Sequence, residues 1–306
     1  MRAAMQHEPG GVPRVENVDP PGPVDGAVLI EVTSVGLGAW DVVGAYREPI
    51  DFPCVVRGEG VGHADDGRRV YFGERSIRPF GGWAERTVVP AAEVWDVPDH
   101  IDDRTAITMG IAGTGALVPL EQADIQPGEN VLVLGATGAL GQIAVQLARV
   151  LNAGRVVGAA RDRDSLDRLL DRGLVDAVAQ VSGDDDVESL RAAAPDGYDV
   201  VLDIVYGEPF VAALKATRVG ARLMSIGALA GPTATIGLGD LLYRTHTCVG
   251  TGQRPAAERR ETWERLLHLA VTHDIAVDFV DYTLDQATEA WHAQTSSPHA
   301  KIVATV

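Results

Sequence analysis

Apolar residues recur along this chain in two different rhythms. In the first hundred residues they come in short runs, and Ala27 to Val35, Arg69 to Phe72 and Ala84 to Val89 predict strands. Pro20-Pro21-Gly22-Pro23, Gly58-Glu59-Gly60-Val61-Gly62 and Gly81-Gly82 punctuate them. Short strands between turn signals predict an antiparallel, barrel-like domain.

From about Ile125 the rhythm changes to alternating strands and helices. The predicted strands are Val131–Leu134, Arg155–Ala159, Val175–Val181, Asp199–Ile204 and Arg222–Ile226. The helices between them are Gln142–Leu151, Ser165–Asp171, Val187–Ala194 and Pro209–Thr217. This alternation predicts a parallel, doubly wound sheet. A further helix, Ala256–Thr272, carries Trp263, Leu266, Leu267 and Ala270 at helical spacing, and Ala300–Val306 predicts a last strand. The fold class is thus α/β, with a separate β-rich domain in front.

One junction in the alternating half carries chemistry. The buried-strand run Val131 to Leu134 is followed by Gly135, Gly138 and Gly141, and then by a helix. Strand, glycine turn and helix make a dinucleotide site. The glycines let the backbone approach a pyrophosphate, and the helix N-terminus stabilises its charge. The candidate cofactor-binding residues here are Gly135, Thr137, Gly138, Ala139, Leu140 and Gly141.

The end of the next strand addresses the ribose. An acidic residue about twenty positions after the last glycine binds a free 2′-hydroxyl, whereas arginine accommodates a 2′-phosphate. Here Ala160 stands at that place, followed by Arg161 and Arg163, with Arg168 one helical turn beyond. Ala160 cannot accept a hydrogen bond through its side chain, so Ala160, Arg161 and Arg163 favour NADP(H). Asp162 and Asp164 interleave with the arginines and leave two alternatives open. They either neutralise the arginines or, through Asp162, bind the ribose of NAD(H).

Charge and cysteine content narrow the partners. The formal net charge is −17, which repels nucleic acid and anionic membranes. No apolar run approaches the roughly 20 residues of a membrane span, and Met1 to His7 lack the apolar core of a signal peptide. Cys54 and Cys248 lie far apart and read as free thiols of a reducing cytoplasm. The histidines show no metal spacing. His268 and His273 fall on different faces of a helix, and His246 and His299 stand alone. Ser34, Ser225 and Ser296-Ser297 lack a nucleophile-elbow context.

The order of motifs resembles a known family. The N-terminal half carries Gly36-Leu37-Gly38-Ala39-Trp40-Asp41, Gly44-Ala45-Tyr46, Gly58-Glu59-Gly60-Val61-Gly62, Gly81-Gly82-Trp83-Ala84-Glu85 and Val97-Pro98. These precede the glycine turn, and Lys301-Ile302-Val303 closes the chain. This succession resembles the medium-chain dehydrogenase/reductase superfamily, and its zinc-free, quinone oxidoreductase-like branch most of all. The resemblance implies a GroES-like β-barrel catalytic domain over 1–118, completed by 250–306. A Rossmann domain would occupy 119–249. It also implies a small-molecule carbonyl or quinone substrate, and a homodimer joined through Rossmann edge strands near Gly237 to Val249.

The same resemblance assigns roles. Zinc members carry Cys and His where this chain has Gly38 and Gly58, and only Glu59 survives of that ligand pattern. Catalytic zinc needs three protein ligands and an open position, so no metal is expected. Tyr46 then becomes the candidate catalytic donor to a substrate oxygen. Gly38, Trp40 and Asp41 are expected around the substrate pocket. Thr114, Gly227 and Lys301 match family positions near the cofactor. The expected function is NADPH-dependent hydride transfer to a quinone or an α,β-unsaturated carbonyl. The alternative is a cofactor-binding protein of the same fold with little redox turnover, and a zinc-dependent alcohol dehydrogenase is disfavoured by the ligand count.

Overall fold

The two rhythms fall in two structural units. The computed structural model describes residues 1–43, 51–183 and 185–306. One unit comprises Met1–Ala112, Pro255–Ala270 and Val277–Val306, and the other Gly113–Arg254 and Val271–Ala276.

In chain order, the first elements are β1 (Arg2–Gln6), β2 (Arg14–Asn17), β3 (Ala27–Leu37), α1 (Ala39–Val43), β4 (Cys54–Val55) and β5 (Gly60–Ala64). Next come β6 (Arg69–Phe72), β7 (Arg86–Pro90), β8 (Val94–Asp96), α2 (Asp103–Thr108) and α3 (Ile111–Gln122). The alternating stretch contains β9 (Asn130–Leu134), α4 (Ala139–Val150), β10 (Arg155–Ala160), α5 (Arg163–Asp171), β11 (Ala177–Gln180) and α6 (Asp186–Ala193). It continues with β12 (Tyr198–Asp203), α7 (Gly207–Ala216), β13 (Thr217–Ser225), α8 (Leu238–Leu241) and β14 (Thr245–Cys248). The chain ends with α9 (Ala256–His273), β15 (Phe279–Thr283), α10 (Ala287–Thr295) and β16 (Lys301–Thr305).

The first unit is built from two sheets, ordered β2-β1-β4 and β15-β16-β3-β5-β6-β8, with β7 also paired to β3. Its core gathers Ile30, Val35, Leu37, Val70, Phe72 and Trp83 against Ala290 and Trp291 of α10. The glycine cluster at 58–62, expected as a turn, is in part a strand. Gly60 and Gly62 lie in β5, antiparallel to β3. Close packing explains the glycines. A Cβ on Gly62 would sit 2.3 Å from the Glu31 carbonyl, and one on Gly60 would sit 2.6 Å from the Phe72 ring. The C-terminal β16 pairs antiparallel with β3, Ile302 opposite Leu37 and Thr305 opposite Ser34. That pairing brings Lys301 into the buried interior of this unit.

The second unit is a parallel sheet ordered β11-β10-β9-β12-β13-β14. Leu132, Leu134, Val157, Val201 and Leu223 are buried together with Phe210 and Leu214 of α7. The first strand of the unit, β9, lies at its centre, flanked by β10 and β12. Strand order reverses there, which is where open α/β sheets bind ligands, beyond the carboxyl ends of the strands. Helix α5 begins earlier than its apolar spacing predicts, because the Asp162 carboxylate caps it by accepting from Ser165 N at 2.8 Å. Such a cap is worth about 1 kcal/mol.

Candidate dinucleotide site

The glycine turn leaves β9 at the reversal point. Gly135 has φ +86°, a left-handed conformation that glycine adopts without strain, and its N–H donates to Ala159 O at 2.8 Å. A Cβ on Gly141 would stand 2.2 Å from the Gly135 carbonyl, so α4 packs directly on the turn. Gly138 has a different reason to be glycine. It caps α4 without a side-chain hydrogen bond, and a Cβ there would meet nothing nearer than 3.9 Å. The space over the cap is open, as an approaching phosphate requires. Ala139 and Leu140 form the first turn of α4, where backbone N–H groups have no intrahelical partner. Thr137 is buried in the turn.

Two other segments meet this turn. Thr114 is buried in α3, and its neighbour Gly115 packs so closely that a Cβ would lie 2.8 Å from Leu140 Cδ1. Gly227, just past β13, lies against the Ile204 backbone, where a Cβ would stand 2.2 Å from the carbonyl oxygen. Thr114, Leu140 and Gly227 therefore belong to contiguous parts of one unit.

At the end of β10 the charged residues separate into distinct roles. Ala160 is buried and Arg161 is exposed. Among the described residues the Arg161 guanidinium has no partner. Arg163 is held by Asp167 at 2.7 Å, one helical turn away. Arg168 donates to Ser165 Oγ at 2.6 Å. Asp162 points its carboxylate at the start of α5. Of the three arginines that sequence alone left ambiguous, Arg161 is the one whose guanidinium has no partner among the described residues.

The candidate substrate residues lie in the other unit. Asp41 is buried, its Oδ2 accepting from Gly38 N at 2.8 Å and its Oδ1 from Gly58 N at 3.3 Å. Burial pushes its pKa up to about 6, against those backbone donors and the Lys301 charge. Gly38 and Gly58 are thus bound to one carboxylate. Trp40 beside them is about half exposed. Tyr46 lies outside the described residues.

Glu59 is enclosed. It accepts from Lys301 Nζ at 2.8 Å, Tyr71 Oη at 2.7 Å and Ile111 N, at the start of α3, at 2.8 Å. A Cβ on Gly110 would stand 2.2 Å from its Oε2, so only glycine fits there. Burial, followed by the Glu59 charge, raises the Tyr71 phenol well above its ordinary range. Lys301, matched at sequence level to a position near the cofactor, is buried on this carboxylate. Glu74, mostly buried, is pushed up to about 7 by burial and by Asp41. Among the described residues no group of three or more His, Cys, Asp or Glu is placed to hold a metal ion.

Sequence inspection missed one constellation in the second unit. Asp203, Ser225 and His246, on three adjacent strands, are joined by hydrogen bonds of 2.7 and 2.9 Å. Ser225 and His246 looked isolated because no linear spacing shows which strands will be neighbours.

Comparison with known proteins agrees with this architecture. A family model described as zinc-binding dehydrogenase matches residues 139–272. Quinone oxidoreductase-like protein 2 of Bos taurus is 25% identical over 250 residues, covering 77% of this chain and 70% of the relative. Prostaglandin reductase-3 of Mus musculus is 30% identical over 232 residues, covering 72% of this chain but only 60% of the relative. Among solved structures, the quinone oxidoreductase from Thermus thermophilus, also determined in complex with NADPH, superposes with TM-score 0.80. It is 27% identical and covers all of both chains. The family model, the relatives and the solved structures together support the medium-chain dehydrogenase/reductase superfamily, and within it the quinone oxidoreductase-like branch.

Proposed function

We propose that this protein is an NADPH-dependent, metal-independent reductase that delivers hydride to a quinone or an α,β-unsaturated carbonyl. The carrying observation is the pairing of the open glycine cap at Gly138 with the exposed, unpartnered Arg161 at the end of the neighbouring strand. NADPH in the Thermus thermophilus complex supports the cofactor assignment, and the names of the relatives support the substrate class.

The residues present fit a dinucleotide. The Gly135–Gly141 turn and the first turn of α4 would hold the pyrophosphate. Ala160 leaves room at the ribose, and Arg161 would pair with the 2′-phosphate. Thr114 and Gly227 would line the other end of the cofactor. When bound, NADPH supplies the hydride. Trp40 offers an aromatic surface to a flat substrate beside Gly38 and Asp41. Tyr46 is the proposed donor to the substrate oxygen.

The donor set does not fit zinc. Gly58 stands where zinc members have His, and the Glu59 oxygens are committed to Lys301, Tyr71 and Ile111. Three ligands would be needed. We also propose a homodimer through the stretch from Gly237 to Val249. There β14 is a sheet-edge strand and Leu238 and Tyr243 are exposed.

The deciding experiment follows NADPH oxidation by purified protein against quinones, enones and enoyl thioesters, with metal content measured on the same sample. Turnover with less than a tenth of an equivalent of zinc is expected. Tyr46→Phe should lower kcat without changing the KM for NADPH. Tight NADPH binding without hydride transfer to any acceptor would instead leave a cofactor-binding protein. Stoichiometric zinc required for turnover would overturn the metal-independent reading.

A further inference from the structure

Strands β12, β13 and β14 lie side by side, and Asp203 and Ser225 at the carboxyl ends of the first two meet the His246 side chain of the third. Asp203 pairs with Ser225 across β12 and β13, and Ser225 with Cys248 across β13 and β14. Asp203 is fully buried. A buried carboxylate is costly unless its oxygens are hydrogen-bonded, and here they are. Oδ1 accepts from Val205 N at 3.0 Å and Tyr206 N at 2.8 Å, and Oδ2 accepts from the Ser225 hydroxyl at 2.7 Å.

The third bond fixes the direction of the next. A serine hydroxyl has one proton, and that of Ser225 is given to Asp203. The Ser225 oxygen must then accept from His246 Nε2, which lies 2.9 Å away. Neutral His246 therefore carries its proton on Nε2. Its surroundings are the Tyr206 and Phe210 rings, with centroids at 6.3 and 4.7 Å, and the Cys248 sulfur at 3.9 Å from Nε2. Burial holds the imidazole below its ordinary pKa, while Asp203 is the charge acting in the other direction.

The turn held by this chain of bonds borders the glycine turn. Tyr206 has φ +56° and Gly207 φ +66°. For tyrosine such a backbone is strained and persists only where surrounding bonds enforce it. The two N–H bonds to Asp203 do so. The preceding residues of the same turn reach Gly135, where a Cβ would stand 3.0 Å from Val205 Cγ1 and 3.4 Å from Ile204 Cβ. On the other side, Ile204 abuts Gly227. Ile226 N bonds Asp203 O at 2.9 Å, and Ala230 N bonds Val205 O at 2.7 Å. The turn is wedged between two segments assigned above to the cofactor.

The geometry points to Asp203, Ser225 and His246 as positioning residues for the dinucleotide, acting through one directional hydrogen-bond chain on the Ile204–Gly207 turn. This role rests on the proposed dinucleotide site and deepens it. His246 donates to Ser225, Ser225 donates to Asp203, and the Asp203 carboxylate fixes the wall beside Gly135. None of the three needs to touch the cofactor.

Nitrogen-15 imidazole spectra of the ligand-free protein at pH 7.5 test the chain, with the His246 signal assigned by its loss in His246→Phe. Wild type should show the Nε2–H tautomer. Asp203→Asn keeps a carbonyl oxygen for the two backbone donors but turns an amide N–H toward Ser225. The freed hydroxyl proton then points at His246, and the tautomer should switch to Nδ1–H. Fluorescence titration with NADPH tests positioning. His246→Phe should weaken binding about tenfold without lowering the unfolding midpoint of the ligand-free protein, and Ser225→Ala should weaken it as much while lowering that midpoint, because Asp203 Oδ2 loses its donor. His246→Gln retains a donor and should stay within threefold of wild type. An Nδ1–H tautomer in wild type overturns the chain. So does NADPH affinity within twofold of wild type in both Ser225→Ala and His246→Phe, while the dinucleotide site itself would stand. Wild type that binds no dinucleotide overturns the site and the positioning role together. If Asp203→Asn fails to fold, the wild-type tautomer and the Ser225→Ala titration decide alone.

Discussion

Lys301 and Glu59 stand 242 residues apart in sequence and form one buried ion pair, the ammonium 2.8 Å from the carboxylate. The pair ties β16 to the start of β5, and through Ile111 N it also caps the entry of α3. Removing one partner leaves a buried charge uncompensated, which costs about 3–5 kcal/mol. Lys301→Met or Glu59→Gln should therefore lower denaturant stability by that order. The double variant should recover a substantial part of the loss. Equilibrium unfolding of the four proteins checks this, and single variants as stable as wild type would sink it.

The three glycines of the turn are predicted to behave differently. Gly141→Ala forces a Cβ into the Gly135 carbonyl and should destabilise the ligand-free protein by about 1–3 kcal/mol. Gly138→Ala meets open space at an ordinary φ of −74°. It should leave ligand-free stability within about 0.5 kcal/mol, as for a neutral surface change, yet weaken NADPH binding at least tenfold. Calorimetric melting with and without cofactor separates the two effects.

Cofactor choice should reside in Arg161. A charge-assisted hydrogen bond is worth about 1.5–3 kcal/mol, so Arg161→Ala should reduce the ratio of kcat/KM for NADPH over NADH by roughly ten- to a hundredfold. Asp162→Ala should leave that ratio alone and cost about 1 kcal/mol of stability through the lost helix cap. A change in preference on Asp162→Ala, with none on Arg161→Ala, would reverse the assignment.

Acid titration offers a further check. Asp41 has its folded-state pKa pushed up to about 6, from an ordinary 3.8, and Glu74 to about 7, from 4.5. Between the ordinary and raised values the folded protein binds more protons than the unfolded chain. These two groups therefore make stability fall as pH rises from about 4 to about 7. At ~1.4 kcal/mol per pH unit, Asp41 accounts for about 3 kcal/mol over its window. Asp41→Asn and Glu74→Gln should each flatten the slope of unfolding free energy against pH between 4 and 7. An unchanged slope in both variants would contradict the raised values.

Local patterns and tertiary packing divided the information unevenly. The parallel sheet was legible because βα alternation and the glycine turn are local signals, and strands β9, β10 and β12 lie within a residue or so of their predicted ends. Strands β1, β2 and β15 escaped notice because they are short and lack strict alternation, so they exist by pairing rather than by propensity. Glycines 60 and 62 read as turn signals because sequence cannot show that the Phe72 ring and the Glu31 carbonyl occupy the space of their side chains.

By itself the sequence determined the fold class and the glycine turn between β9 and α4, because each depends on residue types at fixed local spacing. Only the tertiary structure decided which charges remain available. It committed Asp162 to a helix cap, Arg163 to Asp167 and Lys301 to Glu59, and it left Arg161 exposed. It also joined Asp203, Ser225 and His246, whose strands become neighbours only through sheet order. Hydrogen-bond partnership depends on distance in space, and for these residues distance along the chain carries no record of it.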